Sequence, residues 1–457
     1  MPRRGGAHPP AARTRCHDGP AARLCFNTVT VLISPTGVPL SRFVVIGLGY
    51  VGLPLALEAS RAGLEVVGLD LNREVVEGLN AGRSHVDDLS DADIAGMREA
   101  GFTATSDSAV LANADVAVIC VPTPLSDDGG PDLGAVRGAV RDIAAHVHPG
   151  MLVVLESTTY PGTTEEVVQP LLEAGGLKAG VDFHLAFSPE RIDPGNAKYG
   201  LKNTPKVVGG VNAESTEAAA AFYSQFVDTV VRARGTREAE TAKLLENTYR
   251  HINIALVNEM AQFCHELDID LWDVIRCAST KPFGFQAFYP GPGVGGHCIP
   301  IDPNYLSHQI KVKLGYPFRF VELAQEINNS MPTYVVRRVQ DALNTDGKAV
   351  RGSRVLLLGV TYKPNIADQR ESPTKPLANQ LIALGADVAY HDPYVQTWNL
   401  GATTLDTVTD LAAELASCDI AVLLQNHSSY DLDLIAEKAP HVLDTRGVIS
   451  DPAVDRL

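Results

Sequence analysis

Apolar residues in the first part of the chain form short runs of strand length that alternate with segments of helical periodicity. The run FVVIGLGYVG, which starts at Phe43, predicts a buried strand and a glycine-rich turn, and PLALEASRAG after it predicts a helix that ends at Gly63. Further apolar runs, EVVGLD, VAVICVP and MLVVLES, are separated by helical patterns as far as residue 235. Such alternation predicts a parallel, doubly wound α/β sheet.

A different pattern begins near Glu238, where the strand signals fade until Asn344. The segment ETAKLLENTYRHINIALVNEMAQFCHEL contains neither Pro nor Gly and has apolar residues at helical spacing, so it predicts a long central helix. A Gly/Pro-rich loop, FGFQAFYPGPGVGGHCIP, interrupts the helical region and is too long for a simple connector. After Gly352 strands and helices alternate again, which predicts a second, smaller α/β domain.

These patterns together predict two Rossmann-like doubly wound α/β domains joined by a long central helix. We expect an extension at 1–40, the first α/β domain at 41–235, a helical domain with the Gly/Pro-rich loop at 236–345, and the second α/β domain at 346–457. The extension is rich in Pro, Arg, Ala and Gly, and its apolar stretch Val29–Ile33 is too short and interrupted for the core of a signal peptide. We expect it to be disordered, or to precede the true start of the protein.

Composition narrows the class of protein. The 457 residues include 45% hydrophobic and 20% charged residues, which is typical of a globular chain of two or three domains. The 54 acidic and 38 basic side chains give a formal charge of −16, which disfavours nucleic-acid binding, and the apolar runs are too short for membrane helices. Seven cysteines without CxxC pairs argue against a disulfide framework and a metal site. We therefore predict a cytoplasmic protein with no metal, nucleic-acid or membrane partner.

Three glycines after the first strand carry the clearest binding signal. Gly47, Gly49 and Gly52 form GxGxxG between a strand and a helix, and Asp70 ends the next strand, about 20 positions further on. The glycines allow a pyrophosphate to approach the helix N-terminus, and the carboxylate can accept hydrogen bonds from a ribose 2′-hydroxyl. This pattern predicts NAD, although Arg73 is placed where it could accommodate the 2′-phosphate of NADP.

The Gly/Pro-rich loop contains the most reactive candidate side chain. Cys298 follows glycines in this loop, where backbone amides or cations can lower a thiol pKa and make it a nucleophile; burial as a packing residue is the alternative. Two carboxylates, Glu190 in FSPERIDPGN and Asp302 four positions after Cys298, are candidate acid/base groups. For each of them a surface or turn-capping role is the default interpretation.

Two polar residues share one face of the predicted central helix. Lys243 and Asn247 are four positions apart, which brings their side chains together on a helix. The alternative is a solvated lysine that pairs with Glu240 or Glu246, beside an incidental asparagine.

Taken together, these motifs resemble the UDP-glucose/GDP-mannose dehydrogenase family over residues 42 to 450. The motifs that carry the resemblance are GLGYVGLP (47–54), VPTP (121–124), ESTTYPGTT (156–164), FSPER (187–191), KLLENTYR (243–250), GVGGHCIPIDP (293–303), YKPNIADQRESP (362–373) and DTRG (444–447). The order of domains is also similar to that of the family, with an NAD-binding domain, a central helix, a cysteine loop and a nucleotide-sugar-binding domain. Only the extension lacks a counterpart.

The resemblance implies oxidation of a sugar C6 alcohol to a carboxylate in two hydride transfers. In that chemistry the Cys298 thiolate captures the intermediate aldehyde as a thiohemiacetal, a second oxidation gives a thioester, and water releases the acid. The resemblance further implies that Lys243 and Asn247 stabilise the developing oxyanion, that Asp302 holds or activates a water, and that Glu190 assists hydrolysis or proton transfer.

The resemblance also assigns binding residues in both α/β domains. The residues expected to bind NAD are Gly47, Gly49, Tyr50, Val51, Gly52, Asp70, Arg73, Thr123 and Arg370. The residues expected to bind the UDP-sugar are Arg191, Lys243, Asn247, Gly295, Tyr362, Lys363 and Arg446. The central helix is more apolar than one domain needs for its own packing, and family members form dimers and larger assemblies, so we expect a homo-oligomer with a dimer core.

The finer motifs bear on which sugar is oxidised. FSPERIDPGN and FYPGPGVGGHCIPIDPNYL resemble the branch that acts on UDP-N-acetylhexosamines, and the SPERxDPGN form favours UDP-N-acetylglucosamine. UDP-glucose members more often carry GGSCFPKD around the cysteine, and this chain differs from them at His297, where they have Ser, and at Pro303, where Thr or Val often follows the Asp. UDP-N-acetylmannosamine and UDP-glucose are the alternative substrates of the same reaction. A two-electron hydroxyacid-type dehydrogenase and a non-catalytic nucleotide sensor are the remaining alternatives, but neither needs Cys298.

Overall fold

The computed structural model describes residues 42–86, 89–126, 130–192, 196, 198–296 and 299–457. The extension and Cys298 therefore lie outside the described residues. Among those described, no helix combines the length and the apolar character that a bilayer crossing requires.

The first α/β domain is built on an eight-stranded sheet. Its strands are β1 (Arg42–Ile46), β2 (Glu65–Leu69), β3 (Thr103–Thr105), β4 (Val116–Ile119), β5 (Leu152–Leu155), β6 (His184–Phe187), β7 (Lys206–Gly210) and β8 (Val230–Arg232). Its helices are α1 (Gly52–Arg61), α2 (Arg73–Asn80), α3 (Asp91–Glu99), α4 (Gly134–Ala144), α5 (Gln169–Leu172) and α6 (Ala213–Tyr223). The strand order β3-β2-β1-β4-β5-β6-β7-β8 contains the Rossmann order 3-2-1-4-5-6, as predicted.

Alternate residues of each central strand enter two separate cores. Phe43 and Val45 of β1 pack in the cluster that includes α1, whereas Val44 and Ile46 pack in the cluster that includes α4. Burial on both faces explains why these strands appear in the sequence as continuous apolar runs. The sheet departs from the parallel arrangement at one edge, because β7 runs antiparallel to β6 and β8 follows the direction of β7. The described residues between β6 and β7 include no crossover helix, which a parallel connection would require.

The central region is helical. It contains α7 (Thr236–Glu266), α8 (Leu271–Ser279), α9 (Asp302–Leu314) and α10 (Arg319–Thr345). Helix α7 has 31 residues and packs along α10, and the Gly/Pro-rich loop connects α8 to α9. The long central helix is thus confirmed.

The second α/β domain has a parallel five-stranded sheet of order β10-β9-β13-β14-β15 and a small hairpin. Its strands are β9 (Arg354–Leu358), β10 (Asp387–His391), β11 (Thr397–Asn399), β12 (Thr404–Asp406), β13 (Ile420–Leu423), β14 (Val442–Asp444) and β15 (Asp455–Arg456). Its helices are α11 (Thr374–Leu384), α12 (Leu411–Ser417) and α13 (Leu432–Lys438). The sheet lies between cores on its two faces, so both α/β domains are doubly wound.

Candidate functional site

The glycine turn after β1 is shaped to receive a dinucleotide. Gly47 has φ +92°, and a Cβ there would lie 2.8 Å from the carbonyl oxygen of Cys120. A Cβ on Gly52 would lie 1.9 Å from the Gly47 oxygen, so neither position has room for a larger residue. A Cβ on Gly49, by contrast, would have no heavy atom within 4 Å among the described residues, which leaves open space in front of α1. That space is where a pyrophosphate would meet the N-terminus of α1.

Asp70 is held in place at the end of β2. Its Oδ2 accepts a hydrogen bond from Leu48 N at 2.8 Å, and its Oδ1 accepts one from Asn72 N at 2.8 Å. The half-buried carboxylate is therefore oriented before any ribose arrives. Arg73 is the first residue of α2 and is exposed. The turn and the carboxylate fit NAD.

Two further candidates for NAD binding come from different domains and contact each other. The guanidinium carbon of Arg370 lies 5.3 Å from the centre of the Tyr50 ring, a cation–π arrangement that reaches from the second α/β domain to the glycine turn. Val51 is half-buried and directly precedes α1. The structure thus brings Arg370 to the residues of the fingerprint.

A buried polar constellation lies where α7 meets the start of α9. Lys243 Nζ donates a 2.5 Å hydrogen bond to Thr158 Oγ1, and Asn247 Nδ2 donates a 2.6 Å bond to Asp302 Oδ2. Lys243, Asn247 and Asp302 are each less than a tenth exposed. Burial raises the pKa of Asp302 to about 6, while the charge of Lys243 and the bond from Asn247 act in the opposite direction. This carboxyl therefore titrates close to the pH at which general bases operate.

The surface interpretation of Lys243 does not hold. Neither proposed partner pairs with it: Glu246 pairs with Arg191, at 2.7 Å between Oε1 and Nη2. Glu240 is buried and accepts bonds from Gly162 N and from the backbone and hydroxyl of Thr164. Burial raises the pKa of Glu240 to about 7 despite these three bonds. Through these bonds Glu240 connects α7 to the loop on which Thr158 lies.

The described residues on either side of Cys298 reach two regions of the protein. On one side, Gly296 has φ +87°, its N–H donates to the carbonyl of Arg370 at 3.1 Å, and it packs so closely on the Tyr362 ring that a Cβ would clash. Gly295 lies similarly close to Tyr362. On the other side, α9 begins at Asp302. The described residues before Cys298 thus contact the second α/β domain, and those after it lead into the polar constellation.

Thr123 belongs to the same neighbourhood. Its hydroxyl donates to the carbonyl of Thr158 at 2.7 Å, and the Tyr305 hydroxyl donates to the Thr123 carbonyl. Because Thr158 also accepts the bond from Lys243, the loops after β4 and β5 are joined to α7 and α9 at one place.

The remaining candidates are Glu190, Arg191, Arg446 and Lys363. Glu190 Oε1 accepts bonds from the N–H groups of Arg191 and Ile192, and Arg191 also donates to Pro205 O at 2.6 Å. Arg446 Nε donates to Leu424 O at 2.6 Å, and burial lowers the pKa of Arg446 to about 10, so it stays charged at neutral pH. Lys363 is half-buried, and its carbonyl accepts a bond from Thr361.

Sequence reasoning missed two features of this site. It gave Thr158 no role, although the motif ESTTYPGTT was noted, and it named Glu240 only as a partner of a solvated Lys243. It also missed that the second α/β domain repeats the first turn: Val360 N donates to Asp392 Oδ2 at 2.7 Å as Leu48 N does to Asp70. In that domain His427 covers the carboxylate at 3.1 Å, and both side chains are fully buried, so a ribose has no access to it.

Comparison with known proteins agrees with this geometry. Models of the UDP-glucose/GDP-mannose dehydrogenase family match in three parts: the NAD binding domain at 41–227, the central domain at 237–330 and the UDP binding domain at 356–451. A UDP-N-acetyl-D-mannosamine dehydrogenase of Methanococcus maripaludis is 34% identical over 90% of this chain and 93% of its own length. One of Escherichia coli with the same name is 33% identical over 88% and 98%.

Solved structures show the same likeness. The UDP-N-acetyl-D-mannosamine dehydrogenase structure from Pyrococcus horikoshii has a TM-score of 0.82 at 33% identity and covers 91% of this chain and 98% of its own. A UDP-glucose dehydrogenase from Pyrobaculum islandicum has a TM-score of 0.79 at 27% identity, with 93% and 96% covered. With the dinucleotide turn and these matches along nearly all of the described chain, the protein belongs to the UDP-glucose/GDP-mannose dehydrogenase family and is an NAD-dependent nucleotide-sugar dehydrogenase.

Proposed function

We propose that this enzyme oxidises the C6 hydroxyl of a UDP-N-acetylhexosamine to the carboxylate in two two-electron steps. The observation that carries the proposal is the buried constellation of Lys243, Asn247 and Asp302 at the end of the cysteine loop. An ammonium and an amide next to a carboxyl that titrates near pH 6 suit a reaction that develops an oxyanion and consumes water.

Each residue has a definite part in the proposed chemistry. NAD, when bound, accepts a hydride in each of the two oxidations. The Cys298 thiolate adds to the aldehyde carbon and later leaves as the thioester is hydrolysed. Lys243 and Asn247 stabilise the oxygen that becomes negative when the thiolate or water adds to the carbon. Asp302 holds the water, and Glu190 accepts its proton.

The binding roles follow the division into domains. We infer that 41–235 binds NAD through the fingerprint, Tyr50, Val51, Asp70, Arg73 and Thr123, with Arg370 contributed from 346–457. The second α/β domain would bind the UDP-sugar through Tyr362, Lys363 and Arg446, with Arg191 and Gly295 near the sugar. The family description of residues 356–451 as a UDP binding domain supports this division.

The identity of the sugar is a finer question. On this point the relatives favour UDP-N-acetylmannosamine, which was an alternative, over UDP-N-acetylglucosamine, which was the first expectation. Several curated relatives are named for UDP-N-acetyl-D-mannosamine, whereas the FSPERIDPGN motif favoured UDP-N-acetylglucosamine. We propose UDP-N-acetyl-D-mannosamine as the preferred substrate. The two sugars differ only in configuration at C2, so the discrimination depends on how the acetamido group fits its pocket.

Parallel kinetics on three sugars tests this choice. We expect kcat/KM with NAD to be at least about tenfold higher for UDP-N-acetylmannosamine than for UDP-N-acetylglucosamine or UDP-glucose, since a misplaced acetamido group leaves polar groups of the site unpaired. The measurement is initial NADH absorbance with each sugar in separate reactions. A higher kcat/KM for UDP-N-acetylglucosamine would restore the first expectation, and no activity with any of the three would refute the proposed reaction.

We also infer a homo-oligomer that assembles through the central helices. Helix α7 exposes large apolar side chains, among them Leu245, Leu256 and Phe263, and α10 exposes Phe320 and Leu323. Side chains of this kind are usual at the core of a dimer interface. Light scattering at working concentration should therefore give at least twice the mass of one chain, and a monomer would contradict the inference.

A further inference from the structure

A cluster of buried ionisable side chains lies beneath the proposed site and has no part in the chemistry described so far. It consists of Glu156, Lys206 and Tyr223, and it borders Glu190. Lys206 is 4% exposed, and Glu156 and Tyr223 are fully buried. Charged side chains are almost never buried to this degree unless they are paired.

Lys206 is shared by two carboxylates. Its Nζ lies 2.9 Å from Glu156 Oε1 and 3.5 Å from Glu190 Oε2, and it is 5.0 Å from the centre of the Tyr223 ring. The Tyr223 hydroxyl donates to the same Glu156 oxygen. Glu190 is therefore held from two directions: its Oε1 by two backbone N–H groups, and its Oε2 by the ammonium.

The cluster lies at the carboxyl edge of the sheet, below the loops that form the site. Glu156 follows β5 directly, and the same loop carries Thr158, the partner of Lys243. Glu190 follows β6, and Lys206 begins β7, which runs antiparallel and so starts at the same edge. The ammonium of Lys206 thus approaches Glu190 from within the domain.

The charges of the cluster do not balance unless it holds a proton. Two carboxylates and one ammonium leave one excess negative charge in a buried place, which is costly. Burial and the repulsion of Glu190 raise the pKa of Glu156, although Lys206 opposes this. Burial alone would lower the pKa of Lys206, but Glu156 and Glu190 together raise it, so the lysine remains an ammonium. Neutralisation of the excess charge at Glu156 leaves the ammonium of Lys206 to pair with Glu190.

We propose that Lys206 is a positioning residue that orients the Glu190 carboxylate for hydrolysis of the thioester. This inference rests on the proposed function. In that step the water oxygen bonds to the thioester carbon, a water proton passes to Glu190, and the carbon–sulfur bond breaks to return the Cys298 thiolate. No hydride moves in the step, so loss of Lys206 should spare the two oxidations and slow only the release of the acid.

The test compares Glu156→Gln with the double variant Glu156→Gln/Lys206→Met. Lys206→Met alone would leave two buried carboxylates without their cation, and this variant could fail to fold. The double variant avoids this, because it removes one negative charge together with the ammonium. Rapid mixing with NAD and the best UDP-sugar should give a burst of two NADH per active site in both proteins. In the double variant we expect the later steady rate to be at least about tenfold slower, because the general base is poorly held.

Mass spectrometry of the quenched enzyme measures the sugar-acid adduct on the cysteine peptide. If Lys206 had only a structural role, the amount of this adduct would not change. The double variant should accumulate the sugar acid as an adduct on the cysteine peptide, whereas Glu156→Gln should not. Lys348→Met, which removes an exposed ion pair with Asp419 in the other α/β domain, is the matched control for loss of a lysine. Equal steady rates in the two proteins would overturn the proposal, as would loss of the burst together with the steady rate. If the wild-type enzyme forms no NADH with any of the sugars, it is the proposed function that fails.

Discussion

Cys298→Ser is expected to lower steady NADH formation by at least about a thousandfold, the scale of loss seen when a covalent nucleophile is removed. The serine hydroxyl is a far weaker nucleophile than a thiolate, so the aldehyde is not captured for the second oxidation. At most one NADH per sugar should then form. The measurement is NADH yield and rate with saturating UDP-sugar, together with binding of NAD and of the sugar, which should be retained.

Cys277→Ser is the matched control for this substitution. Cys277 is an exposed free cysteine on α8, and its Sγ contacts Asp273 at 3.7 Å, so its loss should leave the rate unchanged. If Cys298→Ser instead yields two NADH per sugar at close to the wild-type rate, the covalent mechanism is wrong.

Lys243→Met should lower kcat about 10²- to 10³-fold with little change in KM. An ammonium that stabilises charge appearing only in the transition state affects kcat, and one preorganised donor of this kind contributes a factor of that size. Lys243 suits the part, because it is buried, bonded to Thr158 and close enough to Asp302 to influence its carboxyl. Methionine keeps the shape of the side chain without its charge. Steady-state kinetics and a thermal unfolding curve are to be measured together.

Lys313→Met provides the comparison for that variant. Lys313 lies on α9, is partly exposed and pairs with Glu166 at 2.6 Å, so its removal should change kcat by less than about twofold. A rise in KM at constant kcat for Lys243→Met would show that the ammonium only binds substrate, contrary to the role proposed here.

The fold could be predicted from the sequence largely because its strands are buried on both faces. Strand β1 places Phe43 and Val45 in one core and Val44 and Ile46 in another, so no polar residue interrupts the run. The antiparallel direction of β7 could not be anticipated, because the direction of a strand depends on the segment that connects it to the previous strand and not on the residues of the strand itself. The second dinucleotide-like turn was missed because it is marked by only two residues, Gly359 with positive φ and the distant Asp392. Two residues so far apart do not form a recognisable sequence motif.

The candidate site could be predicted only in part. Helical spacing brings Lys243 and Asn247 to one face, but their partners lie 85 and 55 positions away, where only tertiary packing decides contact. Nothing in the local sequence marked Glu240, Glu156 and Lys206 as buried, since charged residues are ordinarily exposed and composition does not distinguish the buried ones. The family motifs supplied candidates that periodicity alone could not.

The most direct test of the proposed four-electron oxidation is the number of NADH formed per UDP-sugar consumed by the wild-type enzyme, with the reaction run to completion. The thioester route requires two NADH for each sugar, with UDP-N-acetylmannosamine as the preferred substrate. A value of one NADH per sugar would contradict that route and leave a simple alcohol oxidation in its place.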